Sequence, residues 1–349
     1  MEKVALYKPK KTFIKRYSKI IILLIIPIIA FAISLSIGRY SISFKEFIEI
    51  LISKITQKQA SYPEVVDTII FQVRIPRIIA AMIIGAALSA SGASYQGMFK
   101  NPMVSPDILG ASAGAGFGAA FGILMSFSVI GIQISAFLFG LLAVLLTYII
   151  SVKVGKNSNA IFILILAGML VGTLFQSFIS LTKYVADPYD KLPAITFWLM
   201  GSLSSVSRRD ILVLLIPFVV GIVPLFFVRW KLNVLSFGDE EARALGIDTK
   251  KLRIIVIICS TLMTASAVSV CGMIGWVGLV VPHFSRMIVG PDYRYLLPTS
   301  MLIGSTYLLM VDNIARGVAS IEIPLGILTS IIGAPFFIYL LLNARKGWS

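Results

Sequence analysis

Residues 254–285 read IIVIICSTLMTASAVSVCGMIGWVGLVVPHFS, 32 positions without one Lys, Arg, Asp or Glu. As a single helix this run would be about 48 Å long at roughly 1.5 Å per residue. A bilayer's hydrocarbon core is about 30 Å thick and takes about 20 helical residues to cross. The run is too long for one straight crossing and short for two. Gly272, Gly275 and Gly278 mark the break, and the second helix continues to about Val289. Two spans that meet at a glycine-rich interruption set the pattern for the rest of the chain.

Outward from this stretch, charge-free runs cover 78–99, 108–152, 157–182, 211–228, 295–311 and 323–344. The run 108–152 holds two spans separated near Ser126–Gln133. Ile20–Ile37, behind seven basic residues, is longer than a usual signal-peptide core of about 7–15 residues and lacks a clean small-x-small cleavage site. It reads as a retained first span. The expectation is an all-α polytopic membrane protein with about ten transmembrane helices and both termini cytoplasmic. Its parts are a basic N-terminus 1–19, one transmembrane domain 20–343 and a cytoplasmic tail 344–349.

Charge placement supports that parity. On the ten-span reading the inner pieces carry 20 of the 31 basic residues against 7 of the 16 acids, so the inside is strongly positive and the outside nearly balanced. The 349 residues are 58% hydrophobic and 13% charged, with a mean hydropathy of +0.93. A soluble domain is about 45–50% apolar and about 25% charged, so a soluble enzyme, a nucleic-acid-binding module and a disordered scaffold are excluded. The net charge of +15 belongs to loops facing anionic lipid. Cys259 and Cys271 form no disulfide framework or zinc knuckle.

The membrane core offers almost nothing ionisable. Ion-coupled carriers place a carboxylate, His or Arg near mid-membrane, whereas Asp312, His283 and Arg286 fall near span ends. Energy for transport must enter from elsewhere, and no phosphate-binding G-x-x-x-x-G-K-[ST] loop occurs. The chain binds no cofactor of its own on this reading. A lone His is a poor metal site, so His283 is structural and no metal centre is expected.

Three further features carry information. Pro76 suits a helix start, which puts Arg74 and Arg77 at the external, positive end of a span, where the macrodipole disfavours cations. Something negative outside is their natural complement. Gly110, Gly114, Gly118 and Gly122 recur every four residues, a ridge for close helix packing. Scarce polar residues, among them Ser91, Gln96, Thr173, Gln176 and Ser177, are candidates to line a pathway.

Motifs then follow in order: Arg74-Ile-Pro-Arg77, Gly85–Gly92, Tyr95-Gln-Gly97, Asn101-Pro102, Ile108–Gly114, Phe197–Ser202, Gly238–Gly246, Gly278–Arg286, Asp312–Arg316 and Glu322–Gly326 with Gly333-Ala-Pro335. Over residues 60–343 the chain resembles the FecCD-type permeases that import iron–siderophore, haem and cobalamin. Where that family typically reads Asn-Pro-Leu-Ala-acid-Pro, this chain has Asn101-Pro-Met-Val-Ser-Pro106, with the acid displaced to Asp107.

The resemblance implies a type II ABC importer: two copies of this chain, or one with a close paralogue, above two cytoplasmic ATPase subunits that carry ATP and Mg, and beneath an extracytoplasmic substrate-binding protein. It implies a plasma-membrane location and uptake of a ferric siderophore or similar chelate, with haem, cobalamin and molybdate as alternatives. A coupling loop at about 230–252 would present Asp239, Glu240, Glu241, Ala242, Arg243, Leu245 and Gly246 to the ATPase. Arg74, Arg77 and Arg316 would dock the binding protein, and Asn101, Pro102 and Met103 would form the inner gate. The competing class is an ion-coupled secondary carrier.

Overall fold

The structure, a computed structural model, describes residues 10–38, 44–56, 64–155, 160–319 and 321–343. Of the basic N-terminus only the backbone from Lys10 onward is described, and the tail 344–349 lies outside the described residues. The helices are α1 Lys10–Ser36, α2 Phe44–Thr56, α3 Glu64–Thr68, α4 Ile75–Phe99, α5 Ala111–Leu124, α6 Val129–Val154 and α7 Ala160–Val185. They continue as α8 Lys191–Met200, α9 Arg208–Phe237, α10 Asp239–Ala244, α11 Thr249–Cys271, α12 Val277–Val289, α13 Tyr293–Gly317 and α14 Leu325–Asn343. No strand occurs among the described residues.

The protein is an all-α polytopic membrane protein. Five helical stretches are long and apolar enough to cross a bilayer: Val65–Phe99, Val129–Val154, Ala160–Val185, Arg208–Phe237 and Thr249–Cys271. The most apolar part of α11 is 78% buried and that of the α4 stretch 56%, against 28% for α6, α7 and α9. α4 and α11 are thus the centre, and the others offer apolar faces outward, as expected of helices in lipid.

Small residues let the central helices touch. A Cβ on Gly85 of α4 would collide with the Gly304 carbonyl of α13. Ser305 donates to the Met82 carbonyl at 2.9 Å, and Ser91 of α4 to the Ser260 carbonyl of α11 at 3.2 Å. Such contacts replace hydrophobic exclusion as the source of helix association in lipid.

The expected break between the seventh and eighth apolar stretches is present: α11 stops at Cys271, Gly272 adopts φ +75°, and α12 begins at Val277. Elsewhere the structure differs from the sequence reading. Residues 229–237 complete α9 instead of belonging to a loop, so the segment free for coupling shrinks to α10 and its flanks. Residues 64–74, before α4, are helical too. α3 runs through a π-helical turn, Ile69–Arg74, into α4, and Ile50 of α2 packs on Val66 and Ile70.

The glycine ridge packs against α6. A Cβ at Gly114 would strike the Phe139 carbonyl and Ala143, and one at Gly118 the Ser135 carbonyl, while Ser135 Oγ donates to the Gly118 carbonyl at 2.7 Å. Gly118→Leu should therefore lower thermal stability in detergent by an amount typical of overpacking, about 1–3 kcal/mol, together with transport. Unaltered unfolding in a thermal scan would contradict this packing role.

Candidate functional site

α5 has 14 residues and α12 has 13, so each covers only about 20 Å of helix, short of the about 30 Å core. The remaining backbone at those positions is irregular: Asn101–Gly110 before α5, with one 3-10 turn at Pro106–Leu109, and Gly272–Trp276 before α12. Irregular backbone inside a membrane is tolerated only where protein buries it or water reaches it. Protein covers part of this backbone. Thr147 of α6 donates to the Leu109 carbonyl at 3.1 Å, and the Ser202 amide donates to the Cys271 carbonyl at 2.8 Å. The two breaks then open on one cavity of about 590 Å³.

Asp107, Gly110, Ser112, Thr173, Gln176 and Gly275 are among the cavity's lining residues. Ser105 accepts from the Asp107 amide and caps the 3-10 turn, so the serine at the family's acidic position does local capping. The displaced Asp107 carboxylate instead accepts a hydrogen bond from the Ser112 hydroxyl in the first turn of α5. A carboxylate there also complements the positive end of the helix.

On α7, Thr173, Gln176, Ser177 and Ser180 form an exposed stripe at helical spacing. Thr173, Ser177 and Ser180 return their hydroxyls to carbonyls four residues back, which hides donors and leaves a weakly polar wall. Ser91 and Gln96, grouped with these in the sequence reading, do not line the cavity. Both are buried, Ser91 against α11. Gln96 donates to the Val104 and Leu279 carbonyls and accepts from Arg286 at 3.2 Å, fastening α4 to the loop after it and to α12.

The three arginines expected on an outer docking surface are buried, at 4% exposure for Arg74 and 6% for Arg77 and Arg316. For Arg77 and Arg316 the premise that the negative complement lies outside the chain is corrected. Arg77 grips Asp312 of α13 at 2.8 Å and Glu322 at 2.9 Å, and Arg316 sits 3.4 Å from Asp312 and donates to Asn313 and Ser34. Arg74 donates to the Leu35 carbonyl at the end of α1. The cluster ties α1, α4, α13 and Glu322, which precedes α14, into one corner.

On the other face, Asn101 and Met103 are exposed and Pro102 half-buried, with the Asn101 side chain accepting from the Met103 amide at 2.9 Å. Glu240, Glu241 and Arg243 are exposed on α10, as is Leu245 just after it, while Asp239 is half-buried and Ala242 is buried. Gly246 ends the helix at φ +78°, and the amides of Gly246 and Ile247 bond back to the Arg243 and Ala242 carbonyls. Asp292 caps α13. Arg294, outweighing burial, together with Asn233 holds its carboxyl down at about 2, so this cap is intact above the usual carboxylate range and is lost as pH falls through about 2. Cys259 and Cys271 are free and buried, and no cluster of metal-ligating side chains occurs among the described residues.

Broken helices around a weakly polar cavity define a membrane transport protein that moves a solute without chemistry on it. The sequence matches the model of the FecCD transport family over residues 23–343, and the chain belongs to that family. It is a permease subunit of the ABC importer type, with ATP hydrolysis on separate subunits. It is 42% identical to the molybdate import system permease protein of Haemophilus influenzae, over 95% of this chain and 97% of that one. It is 41% identical to the cobalamin import permease of Halobacterium salinarum, over 81% and 76%. It is 37% identical to the Fe(3+)-citrate import permease of Bacillus subtilis, over 94% and 96%. A metal-chelate type ABC transporter solved in an inward-facing conformation superposes with a TM-score of 0.82 at 40% identity, over 92% of this chain and 97% of that one.

Asp312 is fully buried, whereas the Glu322 side chain is 28% exposed. Removing one partner from a buried ion pair typically costs about 3–5 kcal/mol. Asp312→Ala should therefore lower the detergent melting temperature far more than Glu322→Ala, and equal shifts would contradict the assignment of Asp312 as the hub.

Proposed function

We propose that this chain is the membrane half of an ATP-driven importer that carries a ferric siderophore or similar bulky metal chelate across the plasma membrane. The observation that supports this most is the cavity at the two helix breaks, with its weakly polar α7 stripe exposed on the side of the molecule. A pathway open along one flank is completed by a second copy or a close paralogue. Its small and weakly polar wall suits a large solute that slides past and is held tightly elsewhere, on a substrate-binding protein outside the cell. The 42% identity to a molybdate permease favours an oxyanion as the second reading.

In this reading ten segments built on α1, α4, α5, α6, α7, α9, α11, α12, α13 and α14 cross the membrane, α5 and α12 together with the irregular backbone before them, and both termini are cytoplasmic. α10 with Leu245 and Gly246 is the coupling element that ATPase subunits grip, and Asn101–Met103 is the inner gate. The exposure of Leu245 at 69% and of Phe237 at 77% on an otherwise polar corner supports a protein contact there.

The test is uptake by proteoliposomes holding this chain with its ATPase subunits and binding protein. Accumulation of the chelate that requires ATP and survives a protonophore is expected, and uptake that collapses with the proton gradient would overturn the proposal. Gly246→Val puts a β-branched residue where φ is +78°. It should leave membrane insertion intact while lowering substrate-stimulated ATP hydrolysis and uptake together. Wild-type rates in that variant would argue against α10 as the coupling element.

A further inference from the structure

Lys100 closes α4 in the left-handed region, at φ +53°, a position that usually goes to glycine or asparagine. Its ammonium lies 3.1 Å from Asp239 Oδ1 at the start of α10. The second oxygen of the same carboxylate accepts from Arg253 Nη2, in the first turns of α11, at 2.5 Å. One half-buried carboxylate thus joins the starts of α10 and α11 to the end of α4, 139 residues before it.

Burial alone would raise the Asp239 carboxyl, but the Lys100 ammonium and the Arg253 guanidinium outweigh it and hold the group below the usual carboxylate range, so it is charged at neutral pH. Exposed ion pairs contribute little to stability. This one sits where geometry matters more.

From Lys100 the chain reaches the cavity in seven residues, and hydrogen bonds mark the way. Asn101 donates its amide to the Gln96 carbonyl, its side chain accepts from Met103, the Val104 carbonyl accepts from Gln96, and Ser105 caps Asp107. These bonds hold Asn101–Asp107 to the end of α4 and to itself, which leaves little slack between Lys100 and the cavity. We propose that Asp239, clasped by Lys100 and Arg253, is the linkage that passes a displacement of α10 to the cavity floor at Asp107–Gly110. Lys100 is a positioning residue in this scheme and touches no solute. The inference rests on the reading of α10 as the ATPase-gripped element and adds the route by which its movement reaches the pathway.

The experiment compares wild type, Lys100→Met, Lys100→Arg and Lys100→Gly, each co-reconstituted with the ATPase subunits and binding protein. ATPase co-purification, ATP hydrolysis, ferric-chelate uptake and detergent melting temperature are measured. Lys100→Met is expected to keep the ATPase subunits, hydrolysis and melting temperature while uptake per ATP falls severalfold. Arginine should restore the ratio, and glycine, which relieves the backbone but has no charge, should not. An unchanged ratio in Lys100→Met, full recovery with glycine, or loss of the ATPase subunits from Lys100→Met would overturn the linkage. A wild-type chain that retains no ATPase subunits would instead overturn the underlying functional reading, and the linkage with it.

Discussion

Backbone amides and carbonyls cannot be left unpaired in hydrocarbon, and that constraint organises this molecule. Most of the chain obeys it by staying helical. At Asn101–Gly110 and Gly272–Trp276 it does not, and the neighbours compensate: Thr147 satisfies the Leu109 carbonyl of the 3-10 turn before α5, and the Ser202 amide the Cys271 carbonyl that ends α11. What protein does not cover must be wet. Both interruptions border the same cavity, so the departure from helical structure and the cavity are one feature. Two continuous helices in place of α5 and α12 would fill that space.

The second organising interaction is electrostatic. Charged groups are costly away from water, and here one corner collects Arg77, Asp312, Glu322 and Arg316 so that each finds an opposite charge. The corner fixes α1, α4 and α13 relative to one another. The opposite face is built from half-exposed pairs such as Lys100–Asp239, which restrain without locking. A tightly paired corner at one end and a looser face at the other suit the proposed permease, in which ATPase subunits act at one face only.

Much of the fold was legible in the sequence because membrane crossing demands long runs without charge. The break after Cys271 was readable from three glycines, and the ridge at Gly114 and Gly118 from their spacing. α2 and the helical lead-in to α4 were not, since Lys45, Glu46, Glu49 and Asp67 interrupt the apolar runs by which spans were recognised. The partners of Arg77 were hidden for another reason: Asp312 lies 235 residues away, and no local pattern announces that pairing. Ser91 and Gln96 could not be told from Thr173 and Gln176, because polar residues on apolar helices look alike until packing decides which face is covered. Asp107 could have been singled out from its offset against the family motif and the serine five residues on.

The central claim is that water reaches the α7 stripe beside the two helix breaks. Its most direct test is the reaction rate of single cysteines with a small, charged, membrane-impermeant thiol reagent, with the chain in lipid bilayers. Thr173→Cys and Gln176→Cys border the cavity, whereas Leu174→Cys sits at nearly the same height on α7, about 100° around from Thr173. Both native cysteines are buried, which keeps background labelling low. Rapid labelling at 173 and 176 with slow labelling at 174 is the expected result. Equal, slow labelling at all three positions would mean that the stripe faces lipid, and the pathway would have to lie elsewhere.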